Sequence, residues 1–251
     1  MNMKNLLGDS DVTILVKFVD PQFIETTLNG NFYFARNKYF IELEEKEEDI
    51  GIADKNEGGW SFLPQKSDQI ILETDDERIV LPINPNVIHT RYDVTEQIPI
   101  CCFVYLSVKK DFEIVPNTNK LKLKPEVETE LRKQFIGRHL ILISDMWKAL
   151  ERFEKSAEVM NFHLARGMVE YFDEQNDPHP LSREEYEKNP IAALFYKSKF
   201  FEHQKEYRFI INKPLDEDVM VELGDIKDIA KDLGVVGVDK QLPIELIFKE
   251  D

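Results

Sequence analysis

Apolar residues in this 251-residue chain fall into short runs, and the period inside each run separates strands from helices. Val12-Thr-Ile-Leu-Val-Lys-Phe-Val19 is β-branched and apolar, with Lys17 its only charge, and predicts a first strand. Asp20-Pro21 ends it. Asp20 can cap a short helix with Pro21 at its first position and Phe23, Ile24, Thr27 and Leu28 on one face. Asn29-Gly30 stops that helix, because both residues tolerate a left-handed backbone, and Asn31-Phe-Tyr-Phe-Ala35 reads as the next strand. A glutamate-rich stretch from Ile41 to Asp54 runs on to Asn56-Glu-Gly-Gly-Trp60, where the glycine pair marks a turn. Residues 69–72 and 78–81 read as a hairpin, closed off by Pro82 and Pro85. Ile98-Pro-Ile-Cys-Cys-Phe-Val-Tyr-Leu106 is the longest apolar run and predicts a central strand.

In the second half, a short strand over 111–115 precedes the Lys/Leu alternation of 120–124, which suits an edge strand guarded by its lysines. Pro125 opens a helix over 126–135 that Gly137 stops, and 138–143 is a buried strand. Ser144 or Asp145 caps a helix carrying Trp147, Leu150 and Phe153 as core residues. Residues 166–172 read as a strand and 173–180 as a polar loop, and Ser182-Arg-Glu-Glu185 fits a capping box for a helix to Lys188. Pro190 begins a further helix over 191–201. The remainder offers strands over 207–211, 219–223, 235–238 and 244–248, with a short helix over 226–233. With no repeat, linker or low-complexity tract, this order predicts one α+β domain over 1–251 in which antiparallel sheet predominates.

Charge narrows the range of partners. Forty-eight acidic against 32 basic residues give a formal charge of −16. Such a surface repels nucleic-acid backbones, so direct nucleic-acid binding is not expected. The acidity either serves solubility or mimics nucleic acid toward a basic partner; it is spread along the chain rather than gathered in one block. Adjacent Cys101 and Cys102 point to opposite faces of a strand, which argues against a mutual disulfide and for reduced core thiols. No apolar run approaches the roughly 20 residues of a membrane span, and the first ten residues hold no signal-peptide core. A cytoplasmic monomer is expected, since no heptad pattern or long exposed apolar stretch advertises an interface.

Candidate chemistry gathers in Phe195-Tyr-Lys-Ser-Lys-Phe-Phe-Glu-His-Gln-Lys-Glu-Tyr-Arg208, just ahead of an apolar strand. Alternation places Gln204, Glu206 and Arg208 on one side, with Lys205 and Tyr207 on the other. A strand-fixed glutamate can accept from a ribose hydroxyl or stabilise a developing oxocarbenium ion. It can equally pair with Arg208 at the next same-face position. Glu57, beside two glycines, is either a site residue or a solvated loop residue. No GxGxxG or P-loop follows a strand. His139, His163, His179 and His203 lack metal-ligand spacing and read as structural, His203 lying nearest the candidate stretch; no metal is expected.

Strand with one polar residue, helix, glycine, strand and a late Gln-x-Glu opening another strand resembles the ADP-ribosyltransferase fold. That resemblance implies a split antiparallel sheet with flanking helices and NAD held in its cleft. Lys17 looks like the basic element of the family's first strand, Tyr33 or its neighbours like the second element and Glu206 like the late glutamate, with Gln204 two residues before it. The resemblance further implies that Lys17 and Arg36 hold the pyrophosphate and that Tyr33 stacks on nicotinamide. The family's Ser-Thr-Ser is replaced here by Phe34-Ala-Arg36, and Lys17 stands where Arg or His is usual. Val16-Lys-Phe18, Asn29 to Phe34 and Lys197 to Arg208 also resemble a family of bacterial and phage proteins with no settled activity. Lys197, Ser198 and Arg208 belong to its late segment and join the expected cofactor-binding set. Two functions follow from these resemblances: an NAD-dependent ADP-ribosyltransferase or glycohydrolase of phage or phage-defence origin, or a non-catalytic member of the fold. The second would bind a nucleotide, another small molecule, or a host or phage protein. A blander alternative is that 197–208 is only a salt-bridged structural corner.

Overall fold

The computed structural model describes residues 11–46, 56–64, 69–75, 77–81, 87–237 and 242–247. The opening ten residues, Asp54, Pro82, Pro85 and the strand ends at Val238 and Phe248 lie outside them. The protein is α+β with mainly antiparallel sheet, and the chain packs as two compact units. The first comprises Met1–Arg36, Pro99–Met168 and His203–Asp251, the second Asn37–Ile98 and Val169–Glu202.

The first unit is built on an eight-stranded sheet. Its strands are β1 (Thr13–Val19), β2 (Asn31–Arg36), β3 (Pro99–Ser107), β4 (His139–Ile143), β5 (Leu164–Met168), β6 (Glu206–Ile211), β7 (Val219–Glu222) and β8 (Ala230–Val235). The main order is β5-β6-β3-β1-β4-β8, with β2 joined to β3 and β7 joined to β2, every pairing antiparallel. The nine-residue apolar run of β3 is central, as its composition predicts.

β3 also carries a split edge. Its residues 100–104 pair with β6 on one side. On the other side β1 occupies 104–107 and β2 only 99–100, so the two part company across Cys101, Cys102 and Phe103. Strand alternation divides the core between two faces. Leu15, Val19, Phe103, Tyr207, Phe209 and Ile211 form one, covered by the helix Met146–Val159 through Ala149, Leu150 and Phe153. Val16, Phe18, Val104 and Leu106 form the other, packed with Leu131 of the helix Pro125–Phe135 and with Leu121 and Leu123.

Several local expectations are corrected. Lys120–Leu123 is the middle strand of a three-stranded sheet, flanked by Phe112–Ile114 and Glu245–Ile247, and not an edge. Its lysines pair across the ladder with Glu245 and Glu113. Residues 230–235 form strand β8 beside β4 instead of a helix, because Ile226, Ile229 and Ala230 are buried in a tight turn that feeds the sheet. Trp147 is 78% exposed and is not core.

In the second unit, the helix Asn37–Lys46 follows β2 directly. Trp60–Phe62 pairs with Ile88–Thr90, and Ile70–Glu73 with Arg78–Leu81 as the expected hairpin. Ser182 caps Arg183–Lys188 in a full capping box with Glu185. The helix expected over 191–201 is instead a 3-10 turn (Pro190–Phe195), a strand (Tyr196–Ser198) and the start of a second 3-10 turn, Lys199–Gln204. That strand runs parallel to Glu170–Phe172, and the ladder takes backbone groups a helix would have used.

Candidate functional site

Glu206 and Arg208 open β6 opposite Val104 and Cys102, so both side chains share the face of Val16 and Val104. Arg208 is 2% exposed and Glu206 8%, and the guanidinium Nε donates to the carboxylate at 2.7 Å. Burying two charges is tolerable only when each neutralises the other at close range. Beside them the Cys102 thiol is pushed up, first by burial and then by the nearby Glu206 carboxylate. Cys101 is likewise free and raised by burial, against the lowering influence of Lys17.

Gln204 does not share this strand face. It is buried at the end of the 3-10 turn Lys199–Gln204, and Lys205 follows in the left-handed region at φ 48°. A left-handed residue reverses the local backbone, so alternation does not extend from Glu206 back to Gln204. Lys205 is held there by Asp111, whose buried carboxylate accepts from its Nζ at 2.7 Å and from the Ser107 backbone N–H at 2.7 Å.

Lys17 lies on the opposite face from Glu206. It follows Val16, which shares the Val104 row, and its Nζ sits 3.6 Å from Cys101 Sγ and 5.1 Å from the Phe103 ring centroid. The ammonium donates to the Cys102 carbonyl, one of the groups left open where β1 and β2 diverge. Lys17 therefore closes the split edge. Tyr33 and Arg36 converge on Asp218, a residue the sequence patterns gave no reason to single out. The Tyr33 hydroxyl donates to one carboxylate oxygen; the Arg36 backbone N–H and Nε donate to the other at 2.9 and 3.1 Å. Burial raises the Asp218 carboxyl, but these hydrogen bonds outweigh it and hold the group below the usual aspartate range.

Lys197 and Ser198 belong to the second unit. Lys197 is buried with its Nζ 3.1 Å from Glu57, itself 3% exposed, so Glu57 is a buried partner and not a solvated loop residue. Gly58 beside it has φ 71°, and a Cβ there would meet Leu194 at 2.7 Å. Lys197 and Ser198 line a small open cleft together with Phe172, Glu174, Tyr196 and His179.

His179 was read from sequence as merely structural. The Pro178-His-Pro180 triplet restricts the backbone on both sides of it. Leu181 N–H donates to His179 Nδ1 at 3.1 Å, and the Leu181 carbonyl accepts from Trp60 Nε1 at 2.9 Å, which pins the loop. Burial pushes the imidazole down to about 4, against the raising influence of a Leu181 backbone hydrogen bond, and the nearby His89 adds to the lowering. The rings of Phe172, Tyr196 and Trp60 stand 4.9, 5.4 and 6.4 Å away, centroid to centroid. Proline on either side of a loop histidine was the only sequence signal for this placement.

Among the described residues no cluster of three His, Cys, Asp or Glu side chains is placed to hold a metal, and no helix is long and apolar enough to cross a membrane. Comparison with protein-family models, curated proteins and solved structures finds no match to this chain.

Proposed function

We propose that this chain is a non-catalytic nucleotide-binding protein on an ADP-ribosyltransferase-like frame. The observation that carries this reading is the Glu206–Arg208 pair. A glutamate meant to stabilise a ribosyl cation has to offer its charge to the ligand, whereas Glu206 gives it to a buried guanidinium at 2.7 Å. Lys17, the residue expected to work with it on NAD, faces the other side of the sheet and serves the Cys102 carbonyl. The cleft that includes Lys197 and Ser198 offers a ligand mainly polar groups.

The test is NAD titration of the purified protein, following thermal shift and nicotinamide release together. Stoichiometric binding without release is expected. Catalytic release of nicotinamide would overturn the reading.

One observation favours the NAD-dependent transferase or glycohydrolase as a second reading. The shared edge of β3 parts β1 from β2, as a split-sheet NAD cleft requires, and Glu206 stands at the start of a strand. In that reading Glu206 and Gln204 act on the ribose, Lys17 and Arg36 hold the pyrophosphate and Tyr33 stacks on nicotinamide. Release abolished by Glu206→Gln in a variant still folded by circular dichroism would establish it. If no nucleotide binds at all, both readings fail and a protein partner for the acidic surface becomes the target.

A further inference from the structure

We propose that the outer face of β2 and β7 docks an extended, arginine-bearing segment of a protein partner. Tyr33 and Met220 receive an apolar side chain and the flat of a guanidinium, and the carboxylates beside them pair with the segment's cations. This goes beyond the nucleotide-binding reading and does not depend on it.

These two strands have one covered face and one bare face. Phe32, Phe34 and Val221 are 2%, 0% and 1% exposed and turn into the core. Alternation therefore turns Asn31, Tyr33, Met220 and Glu222 outward. Tyr33 lies directly opposite Met220 in the ladder, at 55% and 41% exposure, so an aromatic ring and a thioether form one bare spot. The ring is anchored: its hydroxyl donates to Asp218, which the Arg36 backbone and side chain also hold. A ring positioned in advance loses little freedom on contact. The outer edge of β7 is partly taken, since the Glu222 carbonyl accepts from Ser156 Oγ at 2.7 Å. Recognition thus falls to side chains rather than to strand addition.

Charge selects the occupant. Asp218, Met220 and Glu222 alternate outward, so acid, methionine and acid follow one another at roughly 6.6 Å, two residues of strand rise. Exposed Asp216 and Glu217 precede them, and residues 214–226 contain no Lys or Arg. Arg36 offsets Asp218 alone, which leaves Asp216, Glu217 and Glu222 to set the field. A second copy would bring the same carboxylates against each other, and nucleic acid or anionic lipid would be repelled. An extended segment with the pattern Arg-x-Leu-x-Arg matches the period on its own near face. Its guanidinium can stack on Tyr33, which an ammonium does less well, while the next arginine pairs with Glu222.

The experiment is fluorescence polarisation of a fluorescein-labelled peptide of Arg-Ser-Leu-Ser repeats, titrated with the full chain at pH 7.5. Binding is expected, and is expected to weaken as sodium chloride is raised. Glu222→Lys and Met220→Arg are each expected to weaken it about tenfold. Both positions are exposed, and circular dichroism checks that the fold is kept. Glu130→Lys, on the exposed side of the helix Pro125–Phe135, changes the net charge as Glu222→Lys does and is expected to weaken binding less than about twofold. No binding, or a loss as large in Glu130→Lys, which would mean bulk attraction only, would overturn the proposal. So would equal binding of the peptide with glutamate in place of arginine. A dimer in sedimentation that Met220→Arg dissociates would assign the face to a second copy and overturn it as well.

Discussion

At the residue scale, Glu206 shows how a candidate residue can be legible in sequence while its surroundings are not. Alternation along 206–211 correctly set Glu206 and Arg208 on one face, and an ion pair between them was one of two readings the sequence allowed. What decides between them is burial, and that depends on long-range pairing with β3, which no local pattern encodes. The pair predicts a specific stability response. Glu206→Gln takes the carboxylate at 2.7 Å away from the buried Arg208 guanidinium and should cost about 3–5 kcal/mol in urea unfolding. Adding Arg208→Met should recover most of that loss, since an apolar replacement removes the buried charge. A single mutant as stable as the parent would show that the pair is not structural. His179 carries a second prediction, in pH. Facing it are His89, Glu174 and Lys197, with the Leu181 N–H on Nδ1. The unfolded ring takes a proton below about 6.5 and the folded one only near 4, so between those values the unfolded state binds more protons. Its contribution to stability therefore rises with pH from 4 to 6.5 and is flat above. Urea midpoints of the parent at pH 5 and pH 7.5 should differ more than those of His179→Gln.

At the scale of elements, the strands declared themselves well and the connections poorly. The runs at 12–19, 31–35, 98–106, 138–143, 207–211 and 219–223 are all strands within a residue or two, because β-branched and aromatic runs bounded by Gly, Pro or Asn carry a local signal. The failures at 191–201 and 226–233 share a cause. Both segments have helix-like spacing, yet each supplies backbone groups to a ladder whose partner is distant in sequence. Trp147 failed differently. It lies roughly 100° around its helix from the stripe formed by Ala149, Leu150, Phe153 and Ala157, at 100° per residue. The lead-in to β6 was illegible because Lys205 adopts a conformation that sequence assigns to Gly or Asn. Lys205→Gly tests what holds it. Glycine would relieve about 1 kcal/mol of backbone strain but remove the ion pair to the buried Asp111 carboxylate, and the second loss is the larger. The variant should be less stable than the parent, and stabilisation would mean the ion pair contributes little.

For the whole molecule, the excess of acidic groups is the dominant electrostatic fact. Forty-eight carboxylates against 32 cations leave a net charge of −16, and many of the cations already have partners. Exposed pairs such as Arg183–Glu187 and Lys188–Glu184 contribute little each. What remains is diffuse self-repulsion, and salt screens that more effectively than it weakens buried pairs such as Glu57–Lys197. At pH 7.5, raising sodium chloride from about 20 to about 200 mM should therefore increase the melting temperature by about 2–4 °C, a gain of about 1 kcal/mol. Near pH 5, close to the isoelectric point of about 4.8, the net repulsion is almost gone. The same salt step should then give no gain, or a slight loss as exposed pairs are screened. Thermal unfolding on this two-by-two grid of pH and salt separates the terms. A salt gain that persisted undiminished at pH 5 would show that ion-specific binding, and not net charge, sets the response.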